Sequence, residues 1–158
     1  MNQKLLSECK FMAKLFVDSL SLDCSSPVFI RRYMNSSMAK NLDDRFAMTS
    51  AINSEIIFDS LEEEYGEWGY GHKKYTADEL YWIGFIYRFW NLEFHHSSKH
   101  IYSIANAESM RKLYFSYHSL DSKVAVERIL EARDLLHSDE EEAARKLNIF
   151  RSVMKKNR

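Results

Sequence analysis

Residues 76–94 read TADELYWIGFIYRFWNLEF, and this stretch decides the fold. Thr76 and Glu79 have the spacing of a capping box. The threonine hydroxyl accepts from the Glu79 amide, and the carboxylate reaches back to the Thr76 amide. The segment beyond it, from Leu80 to about His96, is hydrophobic nearly all round, as in a helix covered on every side. Gly84 inside it is about 1 kcal/mol worse than alanine. Its presence predicts close approach of another helix at that point. A hydrophobic central helix at about 77–96 therefore organises the rest of the chain.

Working outward, the flanking segments are also helical. Upstream, Leu5, Cys9, Met12, Phe16 and Leu20 form one face of a helix over Lys4–Leu20, with Lys4, Glu8, Lys14 and Asp18 largely outside it. Ser26-Pro27 reads as a serine N-cap with proline in the first turn, and Asn35-Ser36-Ser37 ends that helix. A helix from about Thr49 to Tyr65 turns Ile52, Ile56, Ile57, Phe58 and Leu61 inward and stops at Gly66. Downstream, Ser97-Ser98 caps a short helix to Ile104. Ala105-Asn106 makes a turn, and a further helix runs to Tyr117. Asp121 caps a helix to about Leu136, and Ser138 caps the last one. That last helix starts on Asp139, Glu140, Glu141 and Glu142 and ends on Lys155, Lys156 and Arg158, in accord with the helix dipole. Its apolar residues, Ala143, Leu147, Phe150 and Met154, suit an arm that docks on a partner. No stretch alternates like a strand. The expectation is an all-α fold: one domain over 1–158, a single compact bundle of six or seven helices, with 138–158 as a C-terminal docking helix.

Composition narrows the function. The chain has 158 residues, a net charge of -1 and 46% hydrophobic residues, which excludes intrinsic disorder and a globally polybasic nucleic-acid binder. One proline and four glycines exclude a loop-rich β-sandwich. Cys9 and Cys24 make no disulfide framework, which points to a reducing compartment. Charged residues interrupt any signal-peptide core near the start. The most apolar run, Leu80–Leu92, is too short to span a bilayer and carries Arg88. The expectation is a soluble, cytoplasmic protein without membrane contact.

Several residues are candidates for function. The loop Gly66–Tyr75 carries Trp68 and Tyr70, which suit contact with a partner; in the competing reading Trp68 folds back as a lid on the core. Sixteen of the 22 aromatic residues lie between Phe58 and Tyr117, enough for a dense core and an interaction surface. Gly84, Arg88, Asn91 and His95 form a polar stripe on the central helix, and a buried arginine there needs an acidic partner. Arg88 and His95 also resemble the Arg-x(4–6)-His signature of the HEPN ribonucleases, small all-α dimers. That resemblance implies an arginine holding the scissile phosphate and a histidine as acid/base. The spacing recurs at Arg111 and His118, and Phe89 departs from the family's usual polar residue. His96 and His100 fit zinc only within one continuous helix, which Ser97-Ser98 interrupts. No phosphate loop or nucleophile motif is visible, so neither metal nor cofactor is expected. Ser98–Tyr117 has helix-turn-helix form, with Arg111, Lys112, Tyr114 and His118 available to DNA, but Glu108 stands where base contacts are made.

The segment Leu80–Glu131 resembles a family of small bacterial proteins of toxin–antitoxin-type gene clusters, found beside toxins of ADP-ribosyltransferase-like fold. The matching elements are Tyr81 through Trp90, Ser98-Lys99, Ile101-Tyr102, Leu113-Tyr114 with His118, and Asp121 followed by Ala125 to Glu127. The resemblance implies an antitoxin or accessory protein that binds a toxin-like protein and catalyses nothing itself. The leading expectation is such an interaction module, with Trp68, Tyr70, Arg111, Tyr114 and His118 as its partner-binding residues. The alternatives are a ribonuclease using Arg88 and His95, and a helix-turn-helix DNA-binding regulator. A homodimer is compatible with each.

Overall fold

The computed structural model describes residues 1–44, 52–134 and 139–156. They form α1 (Gln3–Asp18), α2 (Ser26–Met34), α3 (Ser37–Leu42), α4 (Ser54–Tyr65), α5 (Ala77–Phe94), α6 (Ser98–Ile104), α7 (Ala107–Tyr117), α8 (Ser122–Ala132) and α9 (Asp139–Lys156), with a 3₁₀ turn at Ser19–Ser21. No strand occurs among the described residues, so the fold is all-α. These nine helices exceed the anticipated six or seven. Polar caps cut the chain into shorter pieces than hydrophobic periodicity suggests. Ser36, for one, starts α3 directly after α2 ends at Asn35, its hydroxyl accepting from the Ala39 amide at 3.0 Å.

Residues 1–126 make one compact unit and residues 127–158 another. In the first, α1 packs along α5 more extensively than any other two helices pack. The crossing lies at Gly84, where an added Cβ would stand 2.7 Å from the Met12 carbonyl oxygen and 2.9 Å from Phe16 Cγ. The close approach read from Gly84 is therefore real. The capping box forms as read, with Thr76 Oγ1 accepting from the Glu79 amide at 3.1 Å and Glu79 Oε1 from the Thr76 amide at 2.9 Å. α5 buries residues on all sides, from Leu80 and Trp82 to Trp90 and Asn91. It stops at Phe94 because His95 adopts the left-handed conformation, φ 56° and ψ 36°. For a residue with a side chain this conformation costs about 1–2 kcal/mol, and the sharp corner it makes ends α5 before His96. Around this axis the rings of Phe29, Tyr33 and Tyr87 meet Phe16 edge-on at 5.3–6.0 Å.

The α1 stripe of Leu5, Cys9, Met12 and Phe16 is buried as expected. Glu8, placed outside that stripe, is instead fully buried. Ser25, not Ser26, caps α2, its hydroxyl accepting from the Val28 amide. The Ser26 hydroxyl accepts from the Tyr75 amide at 2.9 Å and so ties down the loop after α4. α4 begins at Ser54 with Asn53 as cap; the expected start at Thr49 lies outside the described residues. It buries Ile57 and Leu61 but leaves Ile56 exposed. Gly66 ends it at φ 88°, as read.

In the second unit, Ile129 and Leu130 of α8 are buried, and α8 ends at Ala132. Its expected end at Leu136, the Ser138 cap and the side chains of Asp139–Ala143 lie outside the described residues. From Lys146 to Lys156 the side chains of α9 are exposed, including Leu147, Phe150 and Met154. No helix among the described residues is long and apolar enough to cross a membrane.

Candidate functional site

Arg88 and Asn91 of the polar stripe on α5 anchor a hydrogen-bond network that reaches α1, α3 and α6. Arg88, 2% exposed, donates to Glu8 Oε1 through Nη2 at 2.7 Å and through Nε at 3.2 Å. Its Nη1 donates to the Leu42 carbonyl at 2.9 Å and to Asn91 Oδ1 at 2.7 Å. Asn91 in turn donates to Asp43 Oδ1 at 3.2 Å and to the His96 carbonyl at 2.6 Å. Asp43 accepts from the Ser98 hydroxyl at 2.6 Å and from the Ser98 amide at 3.2 Å. Partial burial pushes the Asp43 carboxyl above its ordinary range.

This arrangement weighs against the ribonuclease reading of Arg88 and His95. The guanidinium is sealed in the core against a carboxylate, whereas His95 is exposed at the corner after α5. A cleft of about 580 Å³ beside them is lined by His95, His96, Asn91, Asp43 and Lys40, but not by Arg88. An arginine committed to four internal bonds cannot also cradle a phosphate. His96 is held by its neighbour, since Trp90 Nε1 donates to its Nδ1 at 2.9 Å. Burial, helped by nearby His100 and His95, lowers the His96 pKa. Among the described residues no group of three histidine, cysteine or carboxylate side chains is placed to hold a metal. Both cysteines are buried and free, and burial pushes the Cys9 thiol up to about 12, far from a thiolate nucleophile.

In the loop after α4 the structure follows the lid reading of Trp68, which is 8% exposed. It folds back over Arg32, whose guanidinium lies 4.9 Å from the Trp68 ring and 5.6 Å from the rings of Tyr65 and Tyr70. Arg32 also donates to the carbonyls of Gly66 at 3.0 Å and Glu67 at 3.2 Å. Trp68 thus folds back as in the lid reading, which leaves little of its ring to offer a partner. Tyr70 remains 63% exposed.

Of the other three predicted residues, Arg111 and Tyr114 lie on α7 and His118 is the residue that caps its C-terminus. Arg111 is half-buried, paired to Glu79 at 3.2 Å and stacked over the Tyr75 ring at 4.7 Å. Tyr114 and His118 line a groove of about 340 Å³ between α5 and α7, together with Asp78, Tyr81, Trp82, Phe85, Leu120 and Ser122. Trp82 and Tyr114 meet edge-on at 5.9 Å, Tyr81 stacks near Phe85 at 6.3 Å, and Tyr114 stacks on His118 at 4.6 Å. One residue beyond Tyr114, Phe115 is 85% exposed, and Tyr81 is 42% exposed. Sequence reasoning passed over Phe115 and Tyr81. The signal was there: LYFSY puts four apolar or aromatic residues within five positions of α7, more than one helix face can bury.

The geometry weighs against α7 as a recognition helix. Arg111 is engaged with Glu79 and Lys112 stands 3.5 Å from Glu108 in an exposed pair, while Phe115 presents a phenyl ring that is 85% exposed. In comparison with known proteins, no family model, no curated protein and no solved structure matches the chain.

Proposed function

We propose that this protein is a non-catalytic interaction module that binds a protein partner through the aromatic groove between α5 and α7. In this reading it acts as an antitoxin or accessory protein that neutralises a toxin-like partner. One observation carries the docking surface. Phe115, 85% exposed, follows directly on Tyr114, which lines a groove with Tyr81, Trp82 and Phe85. Exposed large aromatics are costly in an isolated protein and are the side chains that anchor interfaces. The toxin-like character of the partner rests on the resemblance of Leu80–Glu131 to proteins of toxin–antitoxin clusters, whose matching elements include Tyr81–Trp90, Tyr114 and His118.

The test uses native capture of a stoichiometric partner by the full chain. Phe115→Glu and Tyr81→Ala alter exposed positions and leave the melting temperature nearly unchanged. Each weakens capture about 30-fold or more, the effect of losing an interface anchor. Expressed alone, the captured partner arrests growth, and the wild-type chain relieves the arrest while Phe115→Glu does not. Capture and protection untouched by both substitutions together would overturn the assignment.

A further inference from the structure

We infer that the α5–α7 groove takes an arginine side chain presented by the protein partner. The inference rests on the reading of this groove as the docking surface and adds the chemistry of its occupant.

The groove has the size for it. At about 340 Å³ it sits at the small end of ligand cavities, which run from about 300 to 1,000 Å³, and it matches one long side chain. Its walls suit a guanidinium. Tyr81, Trp82, Phe85 and Tyr114 line it with aromatic rings, and Tyr81, 42% exposed, is open to a stacked guanidinium. The charge balance agrees. Exposed Asp78 lines the groove, whose lining holds no lysine or arginine among the described residues. Asp121, next to the lining residues Leu120 and Ser122, accepts from the Lys123 amide at 2.9 Å. Arg111 of α7 is already paired with Glu79. An acidic segment would meet the Asp78 carboxylate here, and a purely apolar one would cover it without satisfying it. A guanidinium both stacks on rings and donates in a fork to a carboxylate, which an ammonium does not.

His118 also lines the groove. Its Nδ1 lies 2.8 Å from the Tyr114 carbonyl oxygen and 3.1 Å from that of Phe115. Carbonyl oxygens only accept, so Nδ1 donates to them, which holds the ring against Tyr114. The chain also uses the same chemistry internally, with Arg32 among Tyr65, Trp68 and Tyr70 and Arg111 over Tyr75.

The test titrates the full chain with a five-residue peptide carrying a central arginine between two leucines, followed at the Trp82 indole N–H resonance. The probe for comparison is the same peptide with citrulline, which keeps the shape and loses the charge. The arginine peptide shifts the Trp82 resonance and binds about tenfold tighter than the citrulline peptide, as expected for a cation over aromatic rings beside a carboxylate. Asp78→Asn weakens the arginine peptide several-fold and leaves the citrulline peptide unchanged. Equal shifts from the two peptides, or none from either, overturn the arginine assignment. That failure is separable from failure of the docking surface, which is judged by partner capture in Phe115→Glu.

Discussion

Replacing Arg88 with methionine isolates the buried ion pair. Glu8 is fully buried, and Arg88 reaches it through two nitrogens. Methionine retains most of the aliphatic stem, so little cavity opens. What is lost is the charge that compensates Glu8, and breaking a buried pair from one side costs about 3–5 kcal/mol. The Leu42 carbonyl and Asn91 Oδ1 also lose a donor, and a buried acceptor left unsatisfied costs about 1–3 kcal/mol. The loss therefore falls in the upper part of the range, about 4–5 kcal/mol, a large share of the stability of a domain this size. Adding Glu8→Leu removes the stranded carboxylate. The double variant recovers about 2–4 kcal/mol of the loss, because an apolar pair in the same space is nearly neutral relative to the ion pair. Urea unfolding followed by far-ultraviolet circular dichroism measures all three variants, with equal slopes confirming a common unfolded state. A cost below about 1 kcal/mol for Arg88→Met, or a double variant no more stable than the single, refutes the account of Arg88 as the internal partner of Glu8.

The same unit gives two more expected outcomes. Gly84→Ala gains about 1 kcal/mol in helix propensity but drives a methyl group to 2.7 Å from the Met12 backbone oxygen, which cannot swing aside; overpacking of about 1–3 kcal/mol outweighs the gain, the melting temperature falls, and a rise would refute the crossing geometry. For His96 the folded-state pKa is depressed below 6.5 by burial, so its contribution is complete above pH 6.5 and is lost as the pH falls through the depressed value; urea midpoints taken downward from about pH 8 decline in that window, with a change in Trp90 emission, and His96→Gln flattens the decline if Trp90 is the coupled group.

What was legible in the sequence was local or set by the backbone. The Thr76–Glu79 capping box lies within four residues, and Gly84 reports a missing side chain whatever helix crosses there. The residues that misled did so through partners far along the chain. Glu8 looked like a solvent-facing charge because nothing near it reveals Arg88, 80 positions away. Trp68 looked exposed because its glycine-rich surroundings are those of a loop, while the arginine that draws it inward sits on α2. Of the candidate site, Tyr114 and His118 were legible through the helix-turn-helix form of Ser98–Tyr117 and the resemblance that includes them, and the groove brings both together. Phe115 was missed because helical periodicity alone does not say which of Leu113, Tyr114, Phe115 and Tyr117 must face outward.

The carboxylate of Asp43 gives α6 a history as well as a place. With seven residues, α6 is far shorter than the roughly 12–15 at which an isolated helix becomes even marginal in water. Ser97 serves it locally, but the amide and hydroxyl of Ser98 are taken by a side chain 55 positions upstream. The α5–α6 corner therefore matures only after the chain has closed that long loop against its closure entropy. Although the described elements are all helical, α6 leans on a long-range contact, and its stability is supplied by assembly of the unit rather than by its own helix propensity.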